Sequence, residues 1–377
     1  MAHNKQLNDD YQNKLNEYNQ DKATYDKAWQ KYQNNLANWR NSHKSLPNAN
    51  GVAASQIQQE LTLGREPDAV ISSPGKTPYA IQAAGNTQLG IDSKTGVGLG
   101  GDGTVTYTNL HNSYYYDQNG NKVGISKIVA HFSNFQANPN GNAKDMNVQV
   151  YSDPTDGFWY HNINSVTVNY KYYDQNGNQI TFSPNTAYLA AGSLNSNIKL
   201  YKDGRREGVE VLHGQAIALL GSAIVKSGNY LYASPEYDDL DNRIVHDDGF
   251  TTTGPMNWDT TGKYKYFGSG LIGLTGNDVT LRFITYRQGN NNEDTWAIVS
   301  TIIPSTPGPS YNGPKPPIPP TKPDTSTPNP PTPPEQKTSE AHYHYNTSIV
   351  YANRIIFSII LLSSLTCNSL ITCKYVF

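Results

Sequence analysis

From about Val70 to Ile303 the chain alternates apolar and polar residues with a period of two. The pattern is plain in Thr104-Val-Thr-Tyr-Thr, Ile128-Val-Ala-His-Phe, Val148-Gln-Val-Tyr, Val166-Thr-Val-Asn-Tyr-Lys-Tyr and Leu281-Arg-Phe-Ile-Thr-Tyr. Side chains of a strand point to opposite faces in turn, so this alternation predicts strands with one face buried and one wet. Asn, Gly and Asp clusters separate the runs, as turns between antiparallel strands require. A span of roughly 230 residues is long enough to bury a substantial core as one sandwich. One stretch breaks the pattern. Ala216–Val225 is continuously apolar and reads equally as a buried strand or a short buried helix.

The heptapeptide YYDQNGN occurs twice, at 115–121 and 172–178. Its Asp and Asn residues resemble the start of an EF-hand loop, which needs oxygen ligands at positions 1, 3 and 5, Gly at 6 and Glu at 12. Position 6 is Lys122 or Gln179, and position 12 is Ile128 or Asn185, so a calcium cage cannot close in either copy. Asn-Gly between β-prone runs is instead a hairpin signal. A type I′ turn, with φ > 0 at both central residues, is the expected form. The flanks upstream of the two copies share nothing evident, which argues for two similar hairpins rather than a duplicated domain.

The ends differ from the middle. Tyr11, Leu15, Tyr18, Lys22, Tyr25, Trp29, Tyr32, Leu36 and Trp39 follow alternating spacings of four and three, a heptad seam on a helix over 8–43. The seam is aromatic, a poor recipe for an ordinary two-stranded coiled coil. It reads either as a solvated helix with a sticky stripe or as a helix whose groove accepts something other than a helix. Pro47 ends it. Pro314, Pro317, Pro320 and Pro323 repeat every three residues, the period of a polyproline II rod. Polyproline II docks into aromatic grooves. The helix would span about 54 Å and the proline segment about 96 Å, so length permits the two to pair. RIIFSIILLSSLTCNSLITC (354–373) is apolar enough for a membrane span but diluted by polar residues. It reads equally as an anchor or as a non-native ending.

Composition narrows the partners. Charged residues make up 16% and the net charge is −2, without the concentrated basic face of a nucleic-acid binder. The two cysteines, Cys367 and Cys373, both fall in the tail, so the body holds no disulfide or thiolate metal site. No apolar signal-peptide core follows MAHNKQLNDD, and no wall-sorting motif precedes the tail. The expectation is a cytosolic protein or a fragment of a longer exported one.

Five segments carry a resemblance: TLGREPDAVIS (62–72), TYTNLHNSYYYDQNGNKVGISKIVAHFSN (106–134), VTVNYKYYDQNGNQITF (166–182), AYLAAGSLN (187–195) and WDTTGKYKYFGSGLIGLTG (258–276). In this order they resemble the glucan-binding protein C / surface protein antigen domain, the variable region of antigen I/II-type adhesins of Gram-positive bacteria. AHYHYN (341–346) resembles the start of the domain that follows the proline region there. The resemblance implies a mainly β fold, a large antiparallel, lectin-like β-supersandwich, with an N-terminal α-helical stalk segment and a C-terminal polyproline II segment wound together. The corresponding division is 1–46 helical stalk, 47–303 sandwich, 304–336 proline-rich segment and 337–377 an atypical following segment. It also implies a non-enzymatic adhesin at the bacterial cell surface, active in aggregation and biofilm formation. Its partner would be glucan or a surface or salivary-type glycoprotein.

Sugar sites pair an aromatic face with planar polar groups. Trp258 with Asp259 and Tyr264, and Trp159 with Tyr160 and Asn162, are the candidate ligand residues. Trp296, followed by a strand-like AIVS, is expected to pack in the core. The acidic segment 236–248 is either a solvated loop or a Ca²⁺ site built from Asp238, Asp239, Asp241 and Asn242. Two other functions stay open. A glycoside hydrolase would need a carboxylate pair about 5–10 Å apart, with Glu236, Asp247 and Asp259 as candidates. A structural spacer would bind nothing.

Overall fold

The alternation becomes two antiparallel sheets packed face to face. In this computed structural model the described residues are 2–44, 46–81, 90–237, 258–259, 262, 264–306, 308–311, 316–317, 320 and 322. The chain divides into a unit of Lys5–Pro323 and a second of Met1–Asn4 with Asp324–Phe377. The architecture that follows is that of the first.

In chain order the first strands are β1 (Leu61–Thr62), β2 (Val70–Ser72), β3 (Tyr79–Ala80), β4 (Thr95–Leu99), β5 (Gly103–Thr108), β6 (Tyr114–Tyr116), β7 (Lys122–Ala137), β8 (Asn147–Tyr151) and β9 (Phe158–His161). There follow β10 (Ile163–Asp174), β11 (Tyr188–Gly192), β12 (Arg205–His213), β13 (Gln215–Ile217), β14 (Ile224–Ser227), β15 (Tyr230–Ala233), β16 (Gly270–Gly273), β17 (Val279–Arg287) and β18 (Thr295–Ser300). The larger sheet runs β1-β6-β7-β10-β17-β12-β15-β14, with β5 on β7 and β2 on β5. The smaller runs β13-β16-β11-β18-β9-β8-β4-β3. Between them Phe132 and Phe283 of the larger sheet meet Phe158 of the smaller edge to face, at 5.2 and 5.1 Å. Edge contacts suit the ring quadrupole, and each such pair adds about 1 kcal/mol beyond the burial itself.

The apolar stretch Ala216–Val225 is neither one strand nor a helix. It divides into β13 and β14 around a turn in which Gly221 takes φ 74°. Continuous burial there reflects cover from several neighbours: Leu219 bridges Val52, and Ala223 and Leu220 pack into separate small clusters.

Both YYDQNGN copies are hairpin tips, but not of the expected turn type. Only the glycines take positive φ, 78° at Gly120 and 81° at Gly177. Gly120 N–H donates to Asp117 O and Asp117 N–H to Asn121 O, closing a three-residue loop of type I followed by a left-handed glycine. The aspartate decides this. Asp117 Oδ1 accepts from the Asn119 and Asn121 N–H groups at 2.9 and 2.8 Å, and Oδ2 from Asn121 Nδ2 at 3.1 Å. Asp174 repeats the set at 2.9, 2.8 and 3.2 Å. Asp at the first position and Gly at the fourth are the residues a type I turn favours.

The N-terminal helix spans Ala2–Ser42. Burial along its seam rises toward the C-terminal end, where Tyr32 and Leu36 are buried against Ala53 and Leu220. Tyr311, at the start of the proline-rich segment, lies against Trp29 and Tyr32 at 5.2 and 5.0 Å. Ser55 links the two, hydrogen-bonded to Tyr32 Oη at 2.5 Å and donating to Pro309 O. Most of the proline segment, AHYHYN and the apolar tail lie outside the described residues. Within the described residues no helix is long and apolar enough to cross a membrane.

Candidate functional site

Alternation on β11 and β18 sends Leu189, Ala191, Ala297 and Val299 into the core. Their neighbours Ala190, Gly192, Trp296, Ile298 and Ser300 therefore face away from it, and they floor a cavity of about 510 Å³. Loop segments wall it in. Gln59 and Leu61 to Arg65 line one part, Gly90 with Thr155 and Asp156 the end beside Arg65, and Trp258 with Lys265 and Ser269 another part. The volume falls within the roughly 300–1,000 Å³ of small-molecule sites, which combine apolar walls with a few placed polar groups.

One end is a charged knot. Asp156, almost fully buried, accepts from Ser93 Oγ and N at 2.6 and 2.9 Å and pairs with Arg65 at 3.1 Å. Burial raises the Asp156 pKa, with Ser93 and Arg65 pulling against it. Arg65 also reaches Asp92 at 2.9 Å and Gly90 O at 2.9 Å, joining the two loops. Asp153 caps the short turn Pro154–Asp156 through Thr155 N–H, and that turn hands its Asp156 carbonyl to Trp296 Nε1 at 2.9 Å. The orientation of the Trp296 ring is thus set by the same turn that supplies the carboxylate. Sequence reasoning missed Arg65, Asp153 and Asp156. The Asp-Pro-Thr-Asp run, a capping residue followed by Pro at the first helical position, was the local signal for the two aspartates; Arg65 had none.

Of the sequence candidates around residue 258, Trp258 lines the cavity, and Asp259 and Tyr264 are buried nearby without lining it. Trp258 is fully buried, tilted on Phe267 at 5.5 Å, and its Nε1 has no hydrogen-bond partner among the described residues. Asp259 is an anchor: Oδ1 accepts from Ser193 Oγ at 2.6 Å and Asn195 Nδ2 at 3.0 Å. Tyr264 is buried and its carbonyl accepts from Phe267 N–H, closing the loop under Trp258. Glu207 accepts from Asn195 N–H, and burial pushes its carboxyl up to about 7 despite Arg205 at 3.3 Å.

The second candidate group does not converge on the cavity. Trp159 pairs across β9 and β18 with Trp296, ring on ring at 6.5 Å, and is not among the residues lining the cavity. Tyr160 is a correction. Period two turns it inward where Trp159 faces out, so it is buried, with its hydroxyl bonded to Thr285 at 2.5 Å. Asn162 takes φ 54° at the end of β9 and donates to Asp145 O, a turn position away from the cavity. Trp296 packs with Tyr151 and Ile298 and is at the same time a cavity wall. Asp238, Asp239, Asp241 and Asn242 lie outside the described residues.

The model of the family described as glucan-binding protein C matches residues 42–300. Among solved structures, the glucan-binding protein C of Streptococcus mutans, reported to mediate both sucrose-independent and sucrose-dependent adherence, is 21% identical over 84% of this chain and 96% of its own, with a TM-score of 0.50. The adhesin domain of PrgB from Enterococcus faecalis is similar in its DNA-bound form at 24% identity, covering 57% of this chain and 73% of that one, TM-score 0.45. Its unbound form gives 20% identity, 65% and 90% coverage, and TM-score 0.45. The Streptococcus mutans likeness is one of fold, and the family assignment rests on the matched span: the chain belongs to the glucan-binding protein C family.

Proposed function

We propose that this chain is the non-enzymatic adhesion domain of a bacterial surface protein, holding a glucan-type carbohydrate in the cavity over the outer face of β11 and β18. The observation that carries the reading is that cavity: an apolar lining that includes Leu63, Trp296 and Ile298 beside the hydroxyls of Thr62, Ser300 and Thr301, with a carboxylate–guanidinium knot at one end. Sugars offer a C–H face to the first and hydroxyls to the others. The family assignment and the adherence role of the Streptococcus mutans protein support the ligand class. The carboxylates nearest the cavity argue for holding rather than hydrolysis. Asp156 is committed to Ser93 and Arg65, and Asp259 to Ser193 and Asn195. We place the domain where antigen I/II-type adhesins carry their variable region. The Tyr311 contact on Trp29 and Tyr32 supports pairing of the helix with the proline segment.

The test is calorimetry of the full chain with isomaltoheptaose and dextran, with and without EDTA. Ser300→Phe fills the cavity floor, and Trp258→Phe exchanges the buried indole for a smaller phenyl ring without the N–H. Both are expected to weaken binding at least tenfold while far-UV circular dichroism stays unchanged. Binding that survives both substitutions would refute the cavity. Release of reducing sugar from dextran would refute the non-enzymatic reading.

A further inference from the structure

The two YYDQNGN tips, separate in sequence, border one cleft. Its volume is about 420 Å³, and its lining includes Asp117, Gln118 and Asn119 of the first tip and Asp174 and Asn178 of the second. The return from the second tip, Gln179 to Ser183, and Glu60 from the chain before β1 close it. Gln118 Nε2 donates to Ser183 Oγ at 3.4 Å, tying the first tip to the chain beyond the second. This cleft is distinct from the tryptophan-walled cavity; the two share none of their described lining residues.

The chemistry of the lining selects the ligand. Tyr115 and Phe182 meet edge to face at 6.1 Å and give the cleft an aromatic wall. Gln118, Asn119, Asn178 and Thr181 supply amide and hydroxyl groups around it. Among the described residues no Lys, Arg or His lines the cleft, so an anionic ligand would meet no opposite charge. The carboxylates of Asp117 and Asp174 are already taken up by their own turns, each by two backbone N–H groups and one Asn amide. They brace the rim rather than present bare oxygens to a cation. Glu60 adds one carboxylate able to accept from sugar hydroxyls; beside it the cleft presents an aromatic surface with planar amides and hydroxyls, the pairing that suits a neutral pyranose.

We infer that the paired tips form a second saccharide subsite, for neutral oligosaccharides. The identical heptapeptides then make sense together: each builds the same braced turn, and the two turns set the width of one cleft. A long glucan could occupy both sites, so the subsite extends the proposed function without depending on the tryptophan cavity.

The test titrates isomaltoheptaose, maltoheptaose and cellohexaose into the full chain and follows the side-chain amide resonances of Gln118, Asn119, Asn178 and Gln179 by NMR. The expected result is saturable shifts at these amides in the wild type and in Ser300→Phe. In Thr181→Trp, which fills the cleft, they should be lost, with affinity down at least tenfold. If all binding disappears in Ser300→Phe and Thr181→Trp changes nothing, the cavity stands and the subsite is overturned. Binding lost only in Thr181→Trp supports the subsite and refutes the cavity. Absence of shifts at the four amides with every sugar overturns the subsite.

Discussion

The two depressions are built on opposite principles. The tryptophan cavity is assembled from segments far apart in sequence: the chain before β2, the turn before β9, the loop before β16, and the outer face of β11 and β18. The tip cleft is assembled around two copies of one local turn, closed by the chain that follows the second copy and by Glu60. A site of the first kind depends on the whole sandwich being formed. One of the second kind carries most of its order within a few residues. The difference should appear wherever a backbone or a charge is perturbed.

The largest effect is expected at Gly157, beside the charged knot. It takes φ 70°, and a Cβ there would run into the carbonyl of Ala297 on β18. Gly157→Ala should therefore cost both left-handed strain and a displaced strand, about 2–5 kcal/mol in chemical denaturation. Gly177, at the second tip, has a similar φ of 81°, but a Cβ there would meet nothing. Gly177→Ala should cost only the backbone term, about 1 kcal/mol. Equal losses at the two glycines would erase the distinction between the regions.

pH should separate them with opposite signs. Glu207 lies under the cavity wall, with its carboxyl raised by burial from the ordinary 4.5 to about 7. Its contribution is fully present below about 4.5. It is lost as pH rises through about 7, because the unfolded chain releases that proton first. The loss is on the order of 3 kcal/mol. Glu207→Gln should flatten the fall in melting temperature between pH 4.5 and 7. At the tips the sign reverses. The bond from Asn121 leads in holding Asp117 below the ordinary 3.8. For Asp174, burial pushes upward but is outweighed by the bonds from Asn178, Asn176 and Gly177. That stabilisation is present above about 3.8 and fades as pH falls below it. Amide exchange should show tip protection unchanged across pH 5–8. The smallest effect belongs to Gln118→Ala. It removes an exposed side chain with a single long hydrogen bond, so the melting temperature should not move while sugar shifts at the tips diminish.

How legible each region was follows from the same contrast. The strands were readable because alternation is a local consequence of the pleat, and the tips because Asn-Gly announces a reversal. The turn type was misjudged because an aspartate two residues before the Asn recruits the backbone N–H groups, and that competition is invisible to a dipeptide rule. The hydrolase candidates fared no better. Asp259 is an anchor, Glu236 is exposed and Asp247 lies outside the described residues. Trp258 was picked from sequence as a candidate ligand residue, and its ring is fully buried. Its polar Thr/Gly-rich setting in sequence gave no hint of Phe267 beneath it. Arg65 and Asp156 come together only because β8, β9 and the chain before β2 are arranged side by side, which no spacing rule encodes. Tyr160 could have been read correctly by applying to Trp159-Tyr160 the alternation that defined the strands.

The clasp of Tyr311 on Trp29 and Tyr32 has a mechanical consequence. The chain enters the sandwich through Val52–Gln59 and leaves through Thr301–Tyr311, and these two passages are hydrogen-bonded to each other. Ala54 N–H donates to Thr306 Oγ1 at 2.9 Å, and Gln59 Nε2 to Thr301 O at 3.1 Å. Tension pulled along the helix and out through residue 311 crosses this short junction and passes neither sheet. Shear flow acting on a tethered molecule would load the clasp first, leaving the cavity and the tips at rest while the tether is stretched.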